Sequence, residues 1–149
     1  MRTEVQSPVA FELTAEITID APVDVVWRSL VEDIGTWWPH SFSDEPKITL
    51  EPWVGGRFWE EFGDVGGGAL YGVVTYLVPL RELTVSGAMR MRGARQYVKT
   101  YTLEESGPST VVRTVASVLG DVPEEMRTGY DEGGVQVLER LKAHIESGR

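Results

Sequence analysis

Cysteine is absent from this 149-residue sequence, and histidine occurs only at His40 and His144. The lack of thiols excludes a disulfide framework, a cysteine nucleophile and a cysteine-ligated zinc or iron–sulfur centre. His144 lies near the end of a predicted helix, where a structural role is typical. His40 lies in a predicted loop with no second histidine nearby, so it is either a solvated loop residue or a general base. The pattern therefore predicts no metal site and no cofactor.

Positive charge and long apolar runs are also scarce. The sequence has 14 Lys and Arg against 23 Asp and Glu, a formal net charge of −9, which is the wrong sign for neutralising a phosphate backbone. No apolar run approaches the roughly 18 residues of a membrane span, and the N-terminus has no apolar signal-peptide core. We therefore expect a single cytoplasmic domain over residues 1–149 that neither binds nucleic acid nor inserts into a membrane.

The few cations are clustered along the sequence. Five of the 14 fall within nineteen residues, namely Arg81, Arg90, Arg92, Arg95 and Lys99. Such a cluster could bind an anion or an acidic partner. The alternative is a hairpin whose outward cations protect exposed strand edges.

Apolar periodicity predicts an α+β fold. Residues 11–19 alternate between apolar and polar, which is typical of a half-buried strand, and Pro22 then opens an apolar helical stripe that runs from Val23 to Ile34. A helical turn is predicted at residues 35–39, followed by a loop to about Pro46. Six glycine-broken strands follow, at 47–52, 56–62, 69–77, 82–88, 95–104 and 110–118. A second long helix begins after Pro123, so the order predicts an antiparallel sheet curled around the C-terminal helix.

Strand 56–62 places a carboxylate between two aromatic rings. Phe58, Glu60 and Phe62 alternate along the strand and therefore share one face. If that face is concave, Glu60 is a partly buried acid with a raised pKa that could orient a ligand or move a proton. An exposed residue at a sheet edge is the alternative.

The C-terminal helix contains Gly133 and Gly134 in its middle. Each glycine should cost about 1 kcal/mol relative to alanine in a helix interior. Either the helix backbone approaches the sheet closely at these positions, or the missing side chains leave room for a cavity. The five Trp, five Tyr and four Phe residues are many for one core, which indicates either an apolar pocket or a filled core rimmed by tyrosines.

Several short motifs occur in a characteristic order over residues 12–146. They are Asp20-Ala21-Pro22 before Val26-Trp27, Trp37-Trp38-Pro39, Glu51-Pro52 before Gly55-Gly56-Arg57-Phe58, Gly72-x-Val74 before Pro79, and Gly133 before Val137-Leu138-x-x-Leu141-Lys142. Together they resemble the START-like superfamily (SRPBCC, helix-grip fold), in the branch named for homologues of the activator of the heat-shock protein 90 ATPase.

This resemblance implies a seven-stranded antiparallel sheet that grips a long C-terminal helix, with two short helices between strands 1 and 2. It also implies an apolar cavity between sheet and helix, which in other branches holds lipids, polyketides or plant hormones. The family often has Gly-Trp in the middle of the last helix, whereas this sequence has Gly134 at the second position. The loss of an indole there would enlarge the cavity or require filling from elsewhere.

We therefore expect the cavity to bind a hydrophobic or aromatic small molecule. Trp37 and Trp38 are predicted to border its mouth. Its lining is predicted to include Phe58, Phe62, Tyr101, Val112 and Met126 beside Gly134, with Glu60, Thr114 and Tyr130 orienting polar ligand atoms.

Two other functions fit the same sequence. The first is a polyketide cyclase-like enzyme in which Glu60, Tyr101 or His40 acts as acid or base. The second is a co-chaperone-like interaction module with a filled core, whose acidic N-terminal third or Arg81–Lys99 cluster contacts a protein. Solvent-facing Trp and Val residues on the strands also suggest a homodimer.

Overall fold

Seven β-strands form one antiparallel sheet in the computed structural model, which describes residues 9–63, 65–89 and 91–148. Arg90, one of the clustered cations, lies outside the described residues. The strand order is β1-β7-β6-β5-β4-β3-β2. The strands are β1 (Val9–Ile19), β2 (Pro46–Leu50), β3 (Arg57–Phe62), β4 (Gly68–Val78), β5 (Glu82–Gly87), β6 (Arg95–Ser106) and β7 (Ser109–Gly120).

The helices lie at the two places where the sequence predicts them. Helix α1 (Val23–Val31) and the short α2 (Ile34–Trp37) connect β1 to β2, and α3 (Arg127–Ser147) follows β7 after a 3₁₀ turn at Glu124–Met126. The predicted α+β class and the curled sheet with its C-terminal helix are confirmed. Each of the six strands predicted after residue 46 is present, with ends within two residues of the prediction. No helix in the described part of the chain has the length and apolarity needed to cross a bilayer.

The apolar stripe that begins at Val23 is divided between two helices rather than continuous. Helix α1 ends at Val31, and α2 starts at Ile34, which is buried as the stripe predicts. The turn brings Gly35 against β2, where a Cβ atom would lie 2.4 Å from the backbone oxygen of Ile48. Only glycine allows this close approach, and it positions the loop that follows α2 against the sheet.

The two halves of α3 have different surroundings. In its C-terminal half Val137, Leu138, Leu141 and Ile145 are buried and join the main core with α1 and the inner face of the sheet. Its N-terminal half contains both glycines of the pair, and Met126 just before it is exposed. The first turns of α3 therefore stand over an unfilled part of the inner sheet face, and this gap is the candidate site.

Candidate ligand-binding cavity

A cavity of about 580 Å³ lies between the first half of α3 and the inner face of the sheet. This volume is within the range of about 300–1,000 Å³ that small-molecule sites occupy. The helix contributes Gly129, Tyr130, Gly133, Gly134 and Val137, with Glu125 and Met126 just before it; the strands contribute Tyr71, Tyr97, Arg95 and Lys99; and loops contribute Trp38, His40, Met89, Met91 and Arg92.

The glycine pair on α3 makes room for the cavity. A Cβ atom at Gly134 would meet no heavy atom within 4 Å, and one at Gly133 would meet only the His40 ring, at 3.6 Å from Nε2. The sequence left two explanations open for these glycines, close packing of the helix backbone or room for a cavity, and the structure shows room for a cavity. The helix is held instead through the loop, where His40 Nε2 lies 3.4 Å from the Gly133 carbonyl oxygen.

Glu60 is fully buried and anchors the loop after α2. Its carboxylate accepts hydrogen bonds from the Tyr71 hydroxyl at 2.5 Å, the Ser43 hydroxyl at 2.7 Å and the backbone N–H groups of Phe42 and Ser43 at 2.9 and 3.0 Å. Burial alone would raise the pKa of Glu60, but these four donors outweigh it and lower the pKa below the ordinary value. The expectation of a raised pKa is therefore wrong, because the loop supplies donors that the strand pattern does not show.

Tyr71 separates Glu60 from the cavity. The ring lines the cavity wall, and the hydroxyl also lies 3.2 Å from the carbonyl oxygen of His40. Its edge packs against Phe58, with ring centroids 5.0 Å apart. The Glu60–Tyr71 pair thus fixes the loop and the cavity wall together, and Glu60 itself is not part of that wall.

Lys99 is a buried cation in the cavity wall. It is 2% exposed on the inner face of β6, and its Nζ lies 4.9 Å from the centroid of the Tyr101 ring. No ion pair or hydrogen bond links its ammonium group to any residue within the described ranges. Burial lowers the pKa of Lys99 from 10.5 to about 8.

Three tyrosines surround this part of β6. Burial, with a contribution from nearby Tyr130, raises the pKa of Tyr97 from 10.0 to about 12, and burial raises the pKa of Tyr101 as well. The Tyr130 hydroxyl donates to the sulfur of Met91, which joins α3 to the loop before β6. Both pKa shifts keep Tyr97 and Tyr101 protonated at physiological pH, so neither of these two rings supplies a negative charge that could compensate Lys99.

The structure brings four of the sequence-predicted site residues together at the cavity, namely Trp38, Met126, Tyr130 and Gly134. Thr114 lies in a smaller adjacent recess between β1, β7 and α3. The other six lie away from the cavity and are Trp37, Phe58, Glu60, Phe62, Tyr101 and Val112. Trp37 is buried in the core, where its Nε1 donates to the Ser29 carbonyl at 2.8 Å.

Residues that the sequence reasoning did not assign to the site include Tyr71, Tyr97 and Lys99. The alternation of β6 contains a signal for Lys99, because Tyr97, Lys99 and Tyr101 share one face of the strand. His40, by contrast, does lie at the cavity. His144 does not, and its Nε2 lies 3.4 Å from an Asp33 carboxylate oxygen. Within the described ranges no group of three or more acidic or histidine side chains could hold a metal ion.

Comparisons with known proteins give one family and many structures of one fold. A family model described as polyketide cyclase/dehydrase and lipid transport matches residues 10–146. No curated protein sequence matches the chain significantly.

The similar solved structures have low sequence identity. An uncharacterised protein from Rhizobium leguminosarum is 18% identical, with 97% of this chain and 99% of that chain covered and a TM-score of 0.72. CalU16 from Micromonospora echinospora is 22% identical, with 94% and 87% covered and a TM-score of 0.63. DynU16, a protein in the dynemicin biosynthetic locus, is 19% identical over 93% of this chain and 48% of its own, with a TM-score of 0.70. At these identities the likeness shows the fold alone.

Proposed function

The chain belongs to the polyketide cyclase/dehydrase and lipid transport family, and from that premise we propose that it binds a hydrophobic or aromatic small molecule in the cavity beneath α3. Membership of the START-like superfamily, predicted from the sequence, is confirmed by this match. The narrower branch named for activators of the heat-shock protein 90 ATPase stays a prediction, as do a homodimer and a cytoplasmic location.

The observation that carries the proposal is the cavity itself. A cavity of about 580 Å³ leaves its largely apolar lining in contact with water, and an apolar ligand that fills it removes that surface from water. Aromatic and thioether side chains dominate the part nearest α3, where Tyr97, Tyr130, Met89 and Met91 meet. Such walls suit an aromatic or polyketide-like ligand. DynU16, which has the same fold, is a protein in the dynemicin biosynthetic locus, and this agrees with a ligand of this kind.

The geometry favours binding over the two other functions. Of the three acid–base candidates of a cyclase mechanism, Glu60 and Tyr101 do not line the cavity, and the hydrogen bonds of Glu60 are used to hold a loop. His40 does line the cavity, and its Nε2 lies 3.4 Å from the Gly133 carbonyl oxygen, where it holds α3. An interaction module with a filled core would not need the space beside Gly134. Binding is therefore the activity that the arrangement supports best.

A fluorescence titration with N-phenyl-1-naphthylamine, a neutral aromatic probe that brightens in apolar surroundings, tests the proposal. We expect saturable one-to-one binding to the wild-type protein. Gly134→Trp should fill the cavity and weaken binding at least about tenfold, whereas Gln136→Trp, on the exposed face of the same helix, should leave it unchanged. Absence of saturable binding, or equal binding by the two variants, would overturn the proposal.

A further inference from the structure

The ammonium of Lys99, which has no ion-pair partner among the described residues, is a feature that cavity binding alone does not explain. Its cross-strand neighbours are Val85 on β5 and Ala116 on β7, neither of which can neutralise it. The Tyr101 ring offers a cation–π contact at 4.9 Å, which compensates only part of the lost hydration. A buried charge without a partner is strongly unfavourable, and native proteins retain one mainly where it has a role.

The charged residues around the cavity are mostly basic, opposite to the protein as a whole. Among the described residues that line this cavity Arg92, Arg95 and Lys99 are cationic and only Glu125 is acidic, so three minus one leaves a charge of +2. Asp131 lines the smaller adjacent recess that Lys99 also borders, and with it the local charge is still positive, at +1. The whole chain has a formal charge of −9. Arg95 donates from Nε to the Asp121 carbonyl, a neutral acceptor, so its charge is not cancelled. A local positive field in an acidic protein attracts an anion to this cavity.

The position of the cations also indicates the shape of the ligand. Lys99 is buried in the cavity wall, whereas Arg92 is exposed in the loop before β6. Tyr97, Tyr130 and Met89 supply apolar wall beside Lys99. A molecule that pairs with the Lys99 ammonium and also covers the apolar wall has an apolar body and one anionic group that reaches the wall at β6.

We propose that the cavity selects an acidic ligand, an apolar or aromatic molecule with one anionic oxygen group, and that Lys99 forms the ion pair with that group. This inference rests on the proposed binding function and narrows it to a ligand class. A charge-assisted hydrogen bond in a desolvated site is stronger than a neutral one, so Lys99 would discriminate against a neutral molecule of the same shape.

Two probes with the same ring system and different charge provide the test. 8-Anilinonaphthalene-1-sulfonate is anionic and N-phenyl-1-naphthylamine is its neutral counterpart, and both are titrated into the full-length protein at 0.1 M NaCl. Wild type should bind the sulfonate more tightly than the neutral probe. Lys99→Met should lower the affinity for the sulfonate, measured relative to the affinity for the neutral probe, at least about tenfold. Lys47→Met, at an exposed lysine on β2, is the matched control and should change neither.

The outcomes separate the two proposals. If wild type binds neither probe, the cavity-binding function fails and this inference fails with it. If wild type binds the neutral probe as tightly as the sulfonate, or if Lys99→Met weakens both probes equally, the ion-pair role of Lys99 is overturned while the binding function stands. Retained neutral-probe binding by Lys99→Met also demonstrates that the variant folds with its cavity intact.

Discussion

Replacing Lys99 by methionine should stabilise the unliganded protein. Burial lowers the pKa of Lys99 from 10.5 to about 8, and one pH unit corresponds to about 1.4 kcal/mol of free energy. Keeping the ammonium in the folded protein at pH 7 therefore costs about 3 kcal/mol relative to the unfolded chain. Methionine has a similar length and no charge, so Lys99→Met should raise the free energy of unfolding by roughly this amount.

The stability difference between Lys99→Met and wild type should decrease as pH rises. Because the folded-state pKa of Lys99 is lower than the unfolded-state value, the penalty is complete below about pH 8 and disappears as pH rises to 10.5. The stability difference between variant and wild type should therefore fall from about 3 kcal/mol at pH 7 to about 1 kcal/mol at pH 9.5. Tyr97 acts in the opposite direction above pH 10, since its pKa is raised to about 12. The comparison is therefore made below pH 10, between proteins that both contain Tyr97.

Urea unfolding followed by tryptophan fluorescence at the two pH values measures the difference. Lys47→Met is the control; its side chain is 74% exposed, and it should change the unfolding free energy by less than about 0.5 kcal/mol. A variant less stable than wild type at pH 7 would refute the argument. So would a stabilisation of equal size at pH 7 and pH 9.5, because an uncharged packing effect does not titrate.

Three further substitutions test the fold around the site. Glu60→Gln should destabilise the protein by about 2 kcal/mol or more at pH 7, because an amide oxygen cannot accept hydrogen bonds from all four donors. In thermal melts the wild-type protein should lose this advantage as pH falls below about 4.5, where the carboxyl group of the unfolded chain becomes protonated. Equal melting temperatures of the two proteins at pH 7 would contradict the anchoring role. Gly87→Ala should lower the free energy of unfolding in urea by about 1–3 kcal/mol, because a Cβ atom would lie 2.5 Å from the Gly72 Cα. Gly63→Ala is the control, since a Cβ atom there would meet no neighbour, and an equally mild effect of both variants would argue against the close strand contact. Leu141→Ala should cost about 2–5 kcal/mol because its side chain is fully buried, and a loss no larger than that of the exposed Val135→Ala would exclude α3 from the core.

Much of the architecture was predictable because the spacing of apolar residues along the sequence indicates where the strands and helices lie. The alternation in residues 11–19 predicts a strand with one buried face, and exposed and less exposed residues alternate in β1 from residue 10 to residue 19. Pro123 precedes a stripe that includes Val137, Leu138 and Leu141, and all three are buried in α3. The close approach of Gly35 to the Ile48 backbone was not predictable, because Ile48 lies in a different element and no local pattern relates the two residues.

Residue order along each strand is enough to tell which side chains share a face of the sheet, but which part of that face is filled depends on how the helices and loops pack against it. Phe58 and Val112 point inward as the alternation predicts, but both belong to the filled main core, where Phe58 packs against the rings of Trp38 and Tyr71. Lys99 also points inward, and it meets the cavity because the glycines of α3 stand opposite it. The chemistry of Glu60 was decided in the same way, by donors at Phe42 and Ser43 that approach from a separate loop. The direction of a side chain in a strand follows from its place in the alternation with its sequence neighbours. Its burial, hydrogen bonds and pKa depend instead on groups from distant parts of the sequence that only folding brings near.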